Sequence, residues 1–302
     1  MKIYITESKQ INPKAIAYLK KNKIEVVLNT PLGKERRLID GLFIRTYTQI
    51  TKTYLDMFPK LKYILRAGIG LDNIDLGECQ KRNIAVINAP ASNANAVAEY
   101  VIFLMISLLR NSNIHINNLK RGGWRNRTYL GRELKNKIVG LIGCGAIGCL
   151  IVKKLIGFET KQIIGYDPYV NKNKLKQLGI QKSTLLNLLK KSDIVSLHLP
   201  LTLQTKNLIS NKEFKVMKSN CVLINTSRGG IVNENELVKA LKTNEIEAAA
   251  LDVFENEPNI NKELITNKKI VFSPHIASFT EEADLSMSLI PVIRFVNILK
   301  KD

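Results

Sequence analysis

The chain has 302 residues, 45% of them hydrophobic, and can therefore bury two ordinary cores, so we expect two domains. Its N-terminus, MKIYITESKQ, lacks the apolar core of a signal peptide, and its longest apolar stretch, at 100–109, is too short to span a bilayer. The net charge is +20, but the lysines are spread singly and in pairs without interleaved aromatic residues, which disfavours nucleic-acid binding and suits an anionic substrate.

Predicted strands and helices alternate through the first hundred residues. Five short apolar runs predict strands, at 2–6, 26–29, 42–46, 63–67 and 85–88. Their alternation with helical stretches predicts a parallel α/β layer. A long helix follows at about 94–110. Residues 112–136 are polar and rich in Gly and Arg, which predicts an irregular, exposed arm.

The middle of the chain carries the spacing Gly143-x-Gly145-x-x-Gly148 between a predicted strand and a predicted helix. A second apolar run then ends in Asp167. The glycines permit a tight turn and a close approach to a pyrophosphate at the helix N-terminus. A carboxylate at the second strand end binds ribose hydroxyls and repels a 2′-phosphate, so the pattern predicts NAD rather than NADP. A glycine turn in a non-binding α/β layer is the alternative.

The alternation continues beyond the glycine loop. Further strands are predicted within 193–200, 221–230, 248–254 and 269–275, and a closing helix at about 280–300. The cofactor segment is therefore expected to be an insertion in another domain. Four cysteines without a CxxC pair predict a reducing cytoplasm rather than a disulfide framework, and we expect no metal site.

Oxidation of an alcohol with NAD requires a base that titrates near neutrality, and the chain has three histidines. His115 lies in the polar arm, where a solvated role is the simpler interpretation. His198 ends a predicted strand, where packing is favoured over a place in the cofactor cleft. His275 follows Pro274 at a strand end, and spacing alone leaves catalytic and structural roles equally open.

Seven stretches resemble the D-isomer-specific 2-hydroxyacid dehydrogenase family, in particular its phosphoglycerate dehydrogenase branch. They run in family order over essentially the whole chain. The stretches are RAGIGLDNID (66–75), NAPASNANAVAEY (88–100), GRELKNKIVGLIGCGAIG (131–148), SDIVSLHLPLTLQT (192–205), NTSRGGIVNENEL (225–237), ALDVFENEP (250–258) and SPHIASFTEEA (273–283).

The resemblance implies an α/β fold of two Rossmann-like, doubly wound parallel-sheet domains. Residues 1–100 with 284–302 would form the substrate domain, and 101–283 the inserted NAD-binding domain, with the active site in the cleft. The arm at 112–136 would embrace a second subunit in a homodimer. We expect a short form without a C-terminal regulatory domain.

The resemblance also implies residue roles. His275 would be the acid/base, Glu257 its carboxylate partner, and Arg228 the arginine that binds the substrate and polarises its carbonyl. The implied NAD-binding residues are Gly143, Gly145, Ala146, Ile147, Gly148, Asp167, Leu199, Pro200, Thr226, Ser227 and Asp252. The implied substrate-binding residues are Arg45, Arg66, Gly68, Ile69, Gly70 and Asn93.

Two further arginines, Arg45 and Arg66, favour a dianionic substrate, and the resemblance implies 3-phosphoglycerate, oxidised to 3-phosphohydroxypyruvate in serine biosynthesis. Glyoxylate/hydroxypyruvate reductase and D-lactate dehydrogenase are alternatives. A non-enzymatic alternative is an NADH-sensing protein similar to the family's corepressors. Ala277 stands where a glycine is common in the family, and bulky Phe279 stands where small residues are usual and could narrow the mouth of the site.

Overall fold

The computed structural model describes residues 1–300 and divides the chain into two compact units. Among the described residues, the first unit comprises 1–93 and 279–300, and the second comprises 94–278. The second unit is thus inserted in the first. Its limits differ from the expected 101–283 because the helix Ala94–Leu109 packs along its whole length in the second unit.

The first unit is a five-stranded parallel sheet with helices on both faces. Strands and helices are numbered along the chain throughout. The elements of this unit are β1 Lys2–Ile5, α1 Pro13–Lys21, β2 Glu25–Val27, β3 Gly41–Ile44, α2 Lys52–Asp56, β4 Tyr63–Arg66, α3 Leu76–Lys81, β5 Ala85–Ile87 and α12 Glu281–Leu299. The strand order is β2-β1-β3-β4-β5, and all five predicted strands are present.

Both faces of this sheet are covered because its strands are apolar on both sides, as buried parallel strands are. Ile3, Phe43 and Leu65 pack with α1 and with Phe295 of α12. Residues on the opposite face form a second cluster, which includes Ile64. The closing helix α12 thereby returns the end of the chain to the first unit.

The second unit is a seven-stranded parallel sheet. Its elements are α4 Ala94–Leu109, α5 Ser112–Lys120, β6 Ile138–Ile142, α6 Ala146–Leu155, β7 Gln162–Tyr166, α7 Lys172–Gln177, β8 Gln181–Lys182, α8 Leu185–Lys191, β9 Ile194–Leu197, α9 Asn211–Val216, β10 Val222–Asn225, α10 Glu234–Lys242, β11 Ala248–Leu251, α11 Lys262–Thr266 and β12 Ile270–Phe272. The strand order is β12-β11-β10-β9-β6-β7-β8.

This order reverses direction between β6 and β9, and ligands of doubly wound sheets bind beyond the carboxyl ends of the strands at such a point. Alternate residues of the strands pack into two separate cores, one on each face. Val195, for example, belongs to one core and Ile194 to the other. The predicted class of two parallel-sheet α/β domains is confirmed.

The arm at 112–136 corrects one expectation. Its first part is the helix α5 rather than irregular chain, and it starts where Asn111 adopts a left-handed conformation after α4. No side chain of α5 is buried, so the apolar periodicity that reveals a helix in sequence is weak. No single helix within residues 1–300 is long and apolar enough to cross a membrane, although the bent pair α4–α5 together passes that test.

Candidate active site

Three predicted catalytic residues lie at the carboxyl edge of the second sheet. Arg228 follows β10, Glu257 follows β11 and His275 follows β12, and these three strands are neighbours in the sheet. Because the strands are parallel, the segments that follow them leave the sheet at the same edge. The structure places His275 Nδ1 2.8 Å from Oε2 of Glu257.

The carboxylate of Glu257 shifts the proton affinity of the imidazole. The hydrogen bond from Nδ1 to Glu257 raises the pKa of His275, and burial and the nearby Arg228 guanidinium only partly oppose it. Burial disfavours the Glu257 anion, but hydrogen bonds from His275 and the Phe254 amide outweigh it and lower the Glu257 pKa. The pair therefore favours imidazolium beside carboxylate, while the His275 side chain stays 44% exposed.

The backbone of His275 is held in an uncommon conformation. Its φ is +54°, in the left-handed region that non-glycine residues adopt at a cost of about 1–3 kcal/mol. The His275 amide donates to the carbonyl oxygens of Asp252 (2.8 Å) and Ser273 (3.0 Å). These bonds fix the turn that aims the imidazole.

Asp252 builds this turn with its buried side chain. Its Oδ1 accepts hydrogen bonds from Ser273 Oγ (2.6 Å) and the Ile276 amide (2.8 Å), and its Oδ2 accepts one from the Ala277 amide (2.9 Å). Burial raises the Asp252 pKa, and these donors oppose that rise. Asp252, one of the implied NAD-binding residues, therefore shapes the turn that carries His275.

Arg228 is placed by a compact loop after β10. Asn225, the last residue of the strand, donates to the Arg228 carbonyl oxygen (2.9 Å) and accepts from the amide and hydroxyl of Ser227. A side chain at Gly229 would collide with the carbonyl oxygen of Phe254. Glycine is therefore required for this loop to pack against the loop that carries Glu257.

The glycine loop is a tight turn that packs closely against the segment after β9 and against α6. Gly143 has φ +91° and lies so close to the His198 carbonyl that a side chain would collide with it. A Cβ at Gly148 would lie 2.8 Å from the Gly143 carbonyl oxygen, which shows how closely α6 packs on the loop. A Cβ at Gly145 would contact no other part of residues 1–300 within 4 Å. Gly145 and Ala146 are exposed, so the turn at the start of α6 faces solvent.

Asp167, after β7, lies beside this loop and is largely buried. Its Oδ2 accepts a hydrogen bond from the Cys144 amide (2.9 Å), and its Oδ1 accepts from the Tyr169 (2.9 Å) and Val170 (3.2 Å) amides. The acidic residue that was predicted to bind a ribose therefore also ties the glycine loop to the end of β7.

Buried polar atoms near the same edge support the fit of a cofactor. Thr226 Oγ1 and both ring nitrogens of His198 are buried and have no hydrogen-bond partner within residues 1–300. They belong to the segments after β9 and β10, as do Leu199, Pro200 and Ser227. Buried polar groups normally have partners, and the ribose, amide and phosphate groups of NAD could provide them.

The other histidines differ from His275 in their environment. Burial lowers the His198 pKa to about 3, so this ring is neutral throughout the physiological range. His115 lies on α5, where its Nε2 is 3.1 Å from the Tyr129 carbonyl oxygen. His275 is thus the histidine with a carboxylate partner and a raised pKa.

The predicted substrate-binding residues belong to the first unit and lie at or just after the carboxyl ends of β3, β4 and β5. Arg45 Nη1 lies 2.7 Å from Asp284 Oδ1 on α12 and also donates to the Gln10 carbonyl oxygen. Arg66 Nη1 donates to the Ala67 carbonyl oxygen (2.7 Å).

The glycine segment of this unit follows β4. The amide of Gly68, one of the implied substrate-binding residues, donates to the Arg66 carbonyl oxygen in a tight turn (2.9 Å). Asn93 Oδ1 is buried without a partner within residues 1–300. The role of this set in substrate binding stays a prediction.

Two residues that position the site were not predicted. Asn225 shapes the Arg228 loop and Ser273 bonds Asp252, and both are buried polar residues at the ends of apolar strands. A polar residue is costly there unless it is bonded, so this placement is a signal that the sequence already carries.

Comparison with known proteins agrees with this geometry. Residues 102–277 match the family described as D-isomer specific 2-hydroxyacid dehydrogenase, NAD binding domain. D-3-phosphoglycerate dehydrogenase of Archaeoglobus fulgidus is 35% identical over 99% of this chain and 58% of its own length. Glyoxylate reductase of Thermococcus litoralis is 39% identical over 83% of this chain and 78% of its own. The chain spans 51–58% of the length of three phosphoglycerate dehydrogenases that it resembles.

Solved structures give the same assignment. A glyoxylate reductase from Paecilomyes thermophila has a TM-score of 0.89 at 26% identity. The match covers 100% of this chain and 96% of the reductase chain. A D-lactate dehydrogenase from Aquifex aeolicus, complexed with NAD and lactic acid, has a TM-score of 0.82 at 25% identity. The match covers 99% of this chain and 94% of the dehydrogenase chain. The NAD-binding family and this NAD complex confirm the predicted cofactor. The chain therefore belongs to the D-isomer-specific 2-hydroxyacid dehydrogenase family.

Proposed function

We propose that this chain catalyses the NAD-dependent interconversion of a D-2-hydroxy acid and its 2-keto acid, and that its preferred reaction is oxidation of 3-phosphoglycerate to 3-phosphohydroxypyruvate. The observation that carries the proposal is the 2.8 Å hydrogen bond between His275 Nδ1 and Glu257. It leaves Nε2 of the same ring to exchange a proton with the substrate hydroxyl.

His275 acts as the acid/base. In oxidation, neutral Nε2 takes the hydroxyl proton as the carbon–hydrogen bond breaks, and Glu257 stabilises the imidazolium that forms. In reduction the imidazolium returns that proton to the carbonyl oxygen. Glu257 stays ionised in both directions because its hydrogen bonds keep its pKa below the usual value.

Arg228 and the glycine loop provide the remaining functions. The Arg228 guanidinium can bind the substrate carboxylate through two parallel hydrogen bonds and draw electron density from the reacting carbon. The amides after Gly145 would hold the pyrophosphate of NAD, and Asp167, Thr226 and Asp252 would line the rest of its path. Bound NAD supplies the hydride acceptor.

Two observations support 3-phosphoglycerate. The relatives from Archaeoglobus fulgidus, Methanocaldococcus jannaschii and Bacillus subtilis, all named D-3-phosphoglycerate dehydrogenase, are 34–38% identical to this chain. Arg45 and Arg66 at strand ends of the first unit could meet a second anionic group. The test is NADH formation from 3-phosphoglycerate, D-glycerate, D-lactate and 2-hydroxyglutarate, with the highest kcat/KM expected for 3-phosphoglycerate.

Glyoxylate or hydroxypyruvate reduction is the second candidate. The glyoxylate reductase relative is 39% identical and is matched over more of its own length, and Arg45 already has a carboxylate partner in Asp284. NADH oxidation with glyoxylate or hydroxypyruvate that exceeds the rate with phosphohydroxypyruvate would favour this candidate. NADH binding without turnover of any acid would favour the NADH-sensing alternative.

We also propose a homodimer formed through residues 112–136, which acts in the cytoplasm in serine biosynthesis. The arm exposes large apolar side chains, including Trp124 (74%) and Leu130 (70%), that a second subunit would cover. The four free cysteines suit a reducing compartment. Light scattering should give about twice the 34.0 kDa chain mass, and a monomer at micromolar concentration would contradict the dimer.

A further inference from the structure

The segment Arg45–Thr48, here called the β3 loop, is anchored by one carboxylate. Glu7 follows β1, and β1 lies beside β3 in the sheet of the first unit. Its two oxygens accept hydrogen bonds from all four amides of the loop, at 3.2 Å (Arg45), 3.1 Å (Thr46), 3.2 Å (Tyr47) and 2.9 Å (Thr48). The Thr48 hydroxyl adds a fifth bond at 2.7 Å.

The other side of the loop is anchored as well. Asn73 Nδ2 donates to the carbonyl oxygens of Arg45 (3.0 Å) and Thr48 (2.7 Å). Burial disfavours the Glu7 anion, but the hydrogen bonds from Thr48, Tyr47 and Arg45 outweigh it and hold the Glu7 pKa below its ordinary value. Glu7 is therefore an anion at neutral pH and occupies the amides fully.

This arrangement fixes what the loop can offer a ligand. Successive backbone amides that converge on one point form an anion-binding site, and here the anion is a side chain of the same unit. The amides are thus withdrawn from a ligand. The rigid loop instead carries the Arg45 side chain, whose Nη1 pairs with Asp284 Oδ1 (2.7 Å), and the exposed Tyr47 side chain. Both lie at the carboxyl edge of the first sheet, the edge that also carries Arg66.

We propose that Glu7 is a positioning residue that sets the place of Arg45 for the distal anionic group of the substrate. This inference rests on the proposed function. Replacement by glutamine keeps the size but presents one carbonyl oxygen and one NH₂ group. The NH₂ group would face amide donors, so part of the loop would lose its acceptor.

The test compares Glu7→Gln with a matched control, Glu25→Gln. Glu25 is an exposed carboxylate on β2 whose ion pair is with Lys2 (2.8 Å), so it undergoes the same chemical change in the same unit. We expect Glu7→Gln to raise KM for 3-phosphoglycerate about tenfold, since an amide bond to a charged acceptor is stronger than one to a neutral oxygen. D-Lactate ends in a methyl group, so its KM should change less than about twofold in Glu7→Gln. The kcat for both acids should also change less than about twofold.

Two further measurements keep the test decisive. Hydrogen exchange at amides 45–48 should be faster in Glu7→Gln than in Glu25→Gln. Glu7→Asp retains the charge, so its exchange rates at these amides should lie between those of wild type and Glu7→Gln. Should Glu7→Gln fail to fold, Thr48→Val removes the hydroxyl bond to Glu7 together with the bond between the Thr48 and Thr6 hydroxyls (2.6 Å). It should raise KM for 3-phosphoglycerate about threefold with KM for D-lactate retained.

Equal changes in KM for both acids, or no change in either, would overturn the positioning role. Unchanged exchange at amides 45–48 would overturn the anchoring itself. A wild-type protein that oxidises D-lactate but not 3-phosphoglycerate would overturn the proposed substrate instead, and the exchange measurement would still report on Glu7. The two failures are therefore distinguishable.

Discussion

Replacement of Glu257 by glutamine should move the pH dependence of keto-acid reduction to lower pH. Reduction requires the imidazolium form of His275, so its rate is lost as the pH rises through the His275 pKa. Glu257 raises that pKa through the 2.8 Å hydrogen bond. Glutamine cannot supply the negative charge, so His275 should lose its proton at lower pH and the alkaline limb should move with it.

The expected size follows from the exposure of the pair. Opposite charges about 4 Å apart attract by about 4 kcal/mol at the effective dielectric of a protein surface. The side chains of His275 and Glu257 are 44% and 35% exposed, and solvent reduces such pairs to about 1 kcal/mol or somewhat more. Since about 1.4 kcal/mol corresponds to a factor of ten in an equilibrium constant, we expect kcat/KM on the alkaline limb to fall about tenfold relative to wild type.

The assay is kcat/KM for glyoxylate or hydroxypyruvate reduction, followed by loss of NADH absorbance between about pH 5 and 8, where histidine titrates. Glu255→Gln, which removes one charge from the same loop, is the control and should leave the limb near its wild-type position. An unmoved limb in Glu257→Gln, or one moved to higher pH, would refute the proposed coupling of the two side chains.

Three other predictions test the site and its scaffold. His275→Asn should lower kcat about 10²–10⁴-fold with NADH binding retained, and near-normal kcat in a folded variant would refute its acid/base role. Asp167→Ala should weaken NAD binding and narrow the preference over NADP. It should also lower the melting temperature, because the buried Cys144 amide would be left unpaired at a cost of about 1–3 kcal/mol. Unchanged NAD affinity would show that Asp167 serves the loop alone. Gly229→Ala should lower the melting temperature and activity together, whereas Gly157→Ala, whose Cβ would meet open space, should not; equal melting temperatures would contradict the close approach to Phe254.

The locally determined features of the chain were predictable. Apolar runs identify the principal strands of both sheets, and the glycine spacing identifies the turn at Gly143 because only glycine tolerates φ +91° so close to another backbone. The exposed helix α5 was missed because none of its side chains is buried. Residue roles came from motif resemblance, since spacing alone left the role of His275 open.

Local sequence therefore predicts the period of the strands, the position of the turns and the residue types available for chemistry. The contacts between distant side chains, in contrast, depend on the fold of the whole chain. Glu257 reaches His275 because β11 and β12 are neighbours, and Glu7 reaches the β3 loop because β1 pairs with β3. Strand order depends on the packing of helices on both faces of each sheet, and that packing is a property of the whole chain rather than of any short stretch.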